Sequence, residues 1–118
     1  MLSDLNTRRT AVGLPSLALD PQLCQVAREH ALDMAERGYF DHVTPEGESP
    51  FDRLDRAHIR FSWVGENIAL DGSPTMADHD WWNSLEHRSN MLQPHFARVG
   101  IAAVPAPDGE LFVEDFSD

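Results

Sequence analysis

A glutamate stands in the middle of an alternating apolar segment, Val64-Gly65-Glu66-Asn67-Ile68-Ala69, and this misfit constrains the chain more than any other feature. Val64, Ile68 and Leu70 have the parity of Glu66, so on a strand they share one face and the carboxylate competes for it. Burying a carboxylate alone is costly, so the surrounding fold has to supply a proton, a cation or several donors. The sequence offers His42 before the segment and His87 after it.

The segments around this strand read mostly as helices. Pro21 to Arg37 carries Leu23, Ala27, Ala31 and Met34 at helical spacing, with Asp20-Pro21 as a start signal and Gly38 where a left-handed cap belongs. A short helix is expected from Ser3 to Val12, with Ser3 as its cap and Gly13 as its stop. Leu17 and Leu19 form an extended link. Ser49-Pro50 opens another short helix, to Ala57, anchored by Phe51 and Leu54, and the loop before it presents His42. Ser73-Pro74 starts a helix whose Ala77, Trp81 and Leu85 follow fourfold spacing, running through His87 to end before Pro94. The C-terminal part changes to period two. Val99, Ile101 and Ala103 alternate, Pro105 to Gly109 turns, and Leu111 to Phe116 returns, which predicts a hairpin. With the Glu66 strand this makes a small antiparallel sheet flanked by helices, an α+β fold in three layers.

Bulk properties limit the partners. The 118 residues suit one domain, residues 1–118, read as a monomer. The net charge of −11 and the scarcity of clustered bases exclude nucleic acid as a partner and disfavour anionic membrane surfaces. All nine basic residues are arginine. No apolar run reaches membrane-spanning length, and the sequence as given supplies no export signal. A single cysteine, Cys24, forms no internal disulfide and sits by a helical apolar stripe, where a thiol is an inert hydrophobe.

His42, Glu66 and His87 come from three elements, so only the fold can unite them. Two neutral imidazoles and a carboxylate match a divalent site of the catalytic zinc kind, or a metal-free acid and base pair. A third reading is structural: Glu66 ties the sheet to the loop carrying His42. On the expected helix Ser84 and Asn83 lie one turn before His87 and can orient its ring, whereas Glu86 points about 100° away. His79 lies roughly 12 Å from His87 along the axis, and the His-Glu-x-x-His pair of metalloproteases is absent. No Gly-x-Ser-x-Gly elbow presents a serine nucleophile. His30 reads as a hydrogen-bonded core residue, His58 and His95 as connecting residues, and Trp63, Trp81 and Trp82 as core.

Taken together, Leu5-Asn6 with Arg9, Gly13-Leu14-Pro15, His30-Ala31 with Met34-Ala35, Gly38-Tyr39-Phe40 with His42, Gly65-Glu66-Asn67-Ile68-Ala69, Trp81-Trp82-Asn83-Ser84 with His87-Arg88 and Asn90, and Val99-Gly100-Ile101 resemble the CAP superfamily, also called SCP-like. The likeness is to its compact bacterial members. It implies an α-β-α sandwich and a cleft lined by two histidines and acidic residues, which in some relatives holds a divalent metal such as Zn2+. His42 matches the first histidine, Glu66 the glutamate of the Gly-Glu-Asn motif and His87 the second histidine. The second glutamate of longer members is Ser84 here, and Glu86 is the only carboxylate beside His87 that can replace it. The resemblance further implies an extracellular or cell-envelope protein whose ligand is a small molecule, lipid or peptide, without a settled reaction.

Overall fold

The structure, a computed structural model, describes residues 1–118. In chain order it contains α1 (Leu2–Ala11), β1 (Ala18–Leu19), α2 (Pro21–Arg37), α3 (Pro50–Arg56), β2 (Val64–Asp71), α4 (Pro74–Trp82), α5 (Leu85–Met91), β3 (Arg98–Ala106) and β4 (Gly109–Ser117). The sheet runs β1-β3-β4-β2. Its three long strands are antiparallel, as the periodicity predicts, and the Leu17 to Leu19 link adds the two-residue strand β1, parallel to β3. The sheet is therefore mixed. The resulting architecture is the expected α+β sandwich, with α2 on one face and α1, α4 and α5 on the other.

Local chemistry sets the helix ends. Asp20 accepts from the Leu23 amide, Pro21 occupies the first turn of α2 and Gly38 closes it at φ 69°. Ser49 and Asp52 cap α3 reciprocally, and Ser73 accepts from Met76 at the start of α4. Two boundaries differ from expectation. The first helix begins at Leu2 with Met1 as its cap position, so Ser3 lies inside it. The helix expected to run unbroken from Pro74 past His87 breaks at Asn83-Ser84, and α5 starts afresh with Ser84 as its cap residue. Asn83 turns its side chain back to the His79 carbonyl at 2.9 Å, the local competition with the helical backbone that asparagine favours.

The register divides the sheet into rows. Toward α2 face Gly100, Asp115 and Glu66, then Ala102, Val113 and Ile68, then Val104, Leu111 and Leu70. Toward the other helices face Val99, Phe116 and Gly65, then Ile101, Glu114 and Asn67, then Ala103, Phe112 and Ala69. Each face thus has apolar rows and one polar row. Gly100 is required where α2 crosses: a Cβ there would come within 2.0 Å of the Leu23 carbonyl carbon. A buried arginine closes the opposite side, Arg9 donating to the carbonyls of Pro15, Met91, Gln93 and Phe96 and so tying α1 to the end of α5.

Candidate functional site

Strand β2 is an edge strand, and its outward carbonyls are taken by side chains: Trp81 Nε1 donates to Ile68 at 2.9 Å and Asn90 Nδ2 to Glu66 at 3.1 Å. These bonds pin α4 and α5 alongside the edge and explain the Gly-Glu-Asn segment residue by residue. A side chain at Gly65 would meet Asn90 and Phe96 at 2.8 Å, so only glycine lets α5 approach. Asn67 donates to the His87 carbonyl at 3.1 Å and accepts from Asn90 at 2.9 Å, which fixes the turn of α5 carrying His87. Glu66 is the carboxylate, 6% exposed, pointing to the α2 face.

The cation that a buried carboxylate demands is Arg53, which the sequence reading left unassigned. Its guanidinium is buried, with Nη2 2.7 Å from Glu66 Oε2 and Nη1 2.8 Å from the His42 carbonyl. Glu66 Oε1 accepts from His42 Nδ1 at 2.9 Å. One arginine therefore holds both the carboxylate and the loop that presents the imidazole. Burial alone would raise the Glu66 pKa, but the hydrogen bonds from His42 and from Asp115, with the charges of Arg53 and His30, outweigh it and bring the group to about 2. Asp115 sits opposite Glu66 in the ladder, fully buried, with no protein donor for either oxygen. Burial and the Glu66 charge raise its pKa well above the usual range, so Asp115 holds its proton and becomes a donor to Glu66. His30 is buried beneath them, Nε2 2.8 Å from the Asp41 carbonyl and 3.9 Å from Glu66 Oε1, and burial lowers its pKa.

His42, Glu66, His87 and Glu86 line one cleft of about 490 Å3 together with Leu85, Ser89 and Asn90. A smaller hollow continues from it past His42 and Glu66 to Phe51 and Val64. The two histidines of the expected set are thus brought together. Ser84 is not: the helix break puts it at the N-terminus of α5, outside the cleft lining, with no side-chain capping bond. Glu86 does reach the cleft wall, because α5 starts a new helical phase, although it stays exposed and takes no hydrogen bond from His87. Phe51, expected as an anchor of α3, is exposed at the rim, while Leu54 and Arg53 are the buried residues of that helix. Among the tryptophans only Trp81 is fully core. Trp82 has the guanidiniums of Arg8 and Arg88 over its ring, and Trp63 stacks on His95 at 3.8 Å between centroids.

The two imidazoles differ electrostatically. The Glu66 hydrogen bond raises the pKa of His42 against the opposing effect of burial. Desolvation, then the nearby charge of His42, lowers that of His87, whose Nδ1 is buried without a partner. Near neutral pH one ring is therefore the better proton carrier and the other the better lone-pair donor. No three His, Cys, Asp or Glu side chains stand close enough to hold an ion among them, so the cleft offers at most two protein ligands to a metal.

The profile described as the cysteine-rich secretory protein family, CAP, matches residues 2–116. The chain belongs to this family. As a CAP domain it is 36% identical over 112 residues to the uncharacterized protein YkwD of Bacillus subtilis, covering 94% of this chain and 43% of that protein. It is 33% identical over 114 residues to the uncharacterized membrane protein YlbC of the same organism, covering 94% of this chain and 31% of YlbC. A crystal structure of an extracellular protein containing an SCP domain from Bacillus anthracis superposes with a TM-score of 0.86 at 35% identity, over 98% of this chain and 38% of that one. The CAP domain thus spans less than half the length of these relatives. No helix in it is long and apolar enough to cross a membrane.

Proposed function

We propose that this CAP domain is a monomeric, exported or envelope-borne binding module that holds a small ligand or a divalent cation between His42 and His87. The observation that carries the reading is the buried Arg53-Glu66-His42 chain, which fixes one imidazole by Nδ1 and leaves its Nε2 free while His87 lines the same cleft. Such preorganisation of a half-exposed ring has no counterpart at His58 or His79, whose side chains stand in open surface. Description of the Bacillus anthracis relative as extracellular supports export.

For a divalent ion of the zinc type the donor set fits in part. His42 through Nε2 and His87 would hold it, with Glu66 as the carboxylate that orients His42 from behind, and the ion would supply Lewis acidity at the cleft. Glu66 itself has both oxygens engaged, by Arg53 and His42. That engagement counts against the rival reading, a metal-dependent hydrolase with His42 and His87 as ligands and Glu66 as general base, because a carboxylate held near pKa 2 is a poor proton acceptor. Titrating the protein with Zn2+, then with peptide and lipid probes, while following the imidazole nitrogen resonances tests the reading. His42 and His87 are expected to shift together, and His87→Ala to abolish the response at His42. Silence of both rings toward every probe would overturn it. Chelator-sensitive turnover of peptides or esters, lost in His87→Ala, would favour the hydrolase.

A further inference from the structure

Helical spacing places Phe51 and Leu85 where core residues belong, yet they are 53% and 79% exposed, and both line the groove that passes His42. The smaller hollow of that groove, about 170 Å3, is bounded by Pro50, Phe51, Val64 and Gly65 and shares His42 and Glu66 with the cleft. A cavity of about 150 Å3 accepts one benzene ring, so the hollow has room for a single side chain and none for a long hydrocarbon tail. Phe61 supports the ring of Phe51, their centroids 6.0 Å apart and their planes tilted by 47°. Beyond the shared wall the groove turns polar: Glu86, His87, Ser89 and Asn90 accompany Leu85, the one hydrophobic residue there. An acyl chain lying along it would cover these donors and acceptors without pairing them, whereas a peptide backbone brings partners. Charge selects further. No arginine lines either part of the groove, Glu86 is exposed in its wall, and the chain carries a net charge of −11. The central contact is open to a ligand, since the His42 side chain is 44% exposed.

We propose that the ligand of the cleft is a short peptide with one aromatic or branched aliphatic side chain, seated in the hollow beside Phe51, and a basic side chain directed to Glu86. This rests on the reading of the cleft as a binding site and names the class of its ligand. The test titrates acetyl-Phe-Gly-Lys-amide and its reverse, acetyl-Lys-Gly-Phe-amide, while the His42 and His87 rings are observed. The better of the two is expected to shift His42 saturably. Replacing its Phe by Ala should weaken it about tenfold, the worth of one apolar side chain buried in a half-open site. Replacing its Lys by Glu should weaken it about two- to fivefold, with the difference fading at high salt. In Phe51→Ala, a change at a half-exposed ring, the Phe and Ala peptides should bind alike, and Phe51→Leu should restore part of the preference. Equal binding of the Phe and Ala peptides by the parent chain would overturn the proposal while leaving the cleft a binding site. So would a preference that survives Phe51→Ala, or decanoate shifting the same rings at lower concentration than either peptide. Silence of both rings toward the peptides, decanoate and Zn2+ alike would instead remove the cleft reading, and the proposal with it.

Discussion

On the face covered by α1, α4 and α5 the sheet is packed by large rings, Trp81, Phe96, Phe112 and Phe116, whereas under α2 the cover is Ala27, Ala31, Ala102 and Gly100. Small residues bring α2 close to the backbone of β3, and the acidic row of Asp115 and Glu66 lies alongside that contact. Close approach excludes water there, which is why Glu66 needs Arg53 and why Asp115 keeps its proton. The other face has its own polar row in Glu114 and Asn67, without any arginine on the carboxyl. One face thus turns a buried charge into a device that aims His42, and the other merely tolerates a buried acid.

The steric side of this contrast predicts the largest effects. Phe112→Ala should cost about 3–5 kcal/mol by leaving a cavity among the rings. Gly100→Ala should cost about 3 kcal/mol or more despite adding one carbon, because the new methyl meets backbone that cannot rotate away. Urea unfolding of both variants decides the matter; a loss under 1 kcal/mol for Gly100→Ala would mean that α2 does not press on the sheet.

Electrostatics on the α2 face comes next. Arg53→Met leaves Glu66 buried and unneutralised, a change expected to cost about 3–5 kcal/mol at pH 7. The Glu66 pKa is depressed by its partners, so in the native chain its contribution is present above the ordinary carboxyl pKa and is lost as pH falls toward about 2. The deficit of Arg53→Met should therefore shrink as the acid range is entered, since Glu66 can then accept a proton. An equal deficit at pH 7 and pH 3.5 would show that Arg53 acts by packing alone.

Glu114 supplies the opposing sign. Burial, and secondarily the charge of Asp78, push its pKa up to about 8. The unfolded chain releases that proton near pH 4.5 and the folded one does not, so the native state loses stability as pH rises between the two values. Glu114→Gln should remove this decline, gaining on the parent by on the order of 3–5 kcal/mol from pH 4.5 to pH 8. Parallel stability curves would refute the buried, neutral acid and with it the contrast between the two faces.

The sequence made the apolar rows legible, because period two and period 3.6 report directly which positions face a neighbouring layer. Glu66 was legible as a misfit, and so was its need for a counter-charge, but Arg53 was not: an arginine on a seven-residue helix looks like any solvated base until the loop folds back over it. Glu114 and Asp115 were hidden for a related reason. They lie on β4, which the strand order places between β3 and β2, and only the packing of helices on both faces of the sheet shows that each acid is buried. The continuous helical wheel turned Ser84 toward His87 and Glu86 away from it; the break at Asn83 resets the phase, so that Glu86, and not Ser84, lines the cleft.

Within the cleft the comparison narrows to its two histidines, and the effects become smaller. Glu66→Gln should cost about 1–3 kcal/mol and let the pKa of His42 fall back toward its ordinary value. Stabilisation from the raised His42 pKa is present below about 6.5 and vanishes as pH rises through the folded value, so part of the loss should itself fade at alkaline pH.

At His87 the smallest changes separate the sequence reading of this helix from the folded one. Ser84 makes no side-chain capping bond and lies outside the cleft, so Ser84→Ala should leave the His87 titration unmoved and alter stability by no more than about 0.5 kcal/mol. Glu86 contributes a charge that raises the His87 pKa against desolvation and against His42, so Glu86→Gln should lower that pKa further. Proton NMR of the His87 ring in the two variants distinguishes the residues. A shift in Ser84→Ala with none in Glu86→Gln would restore the continuous helical face on which Ser84, not Glu86, supports the second histidine.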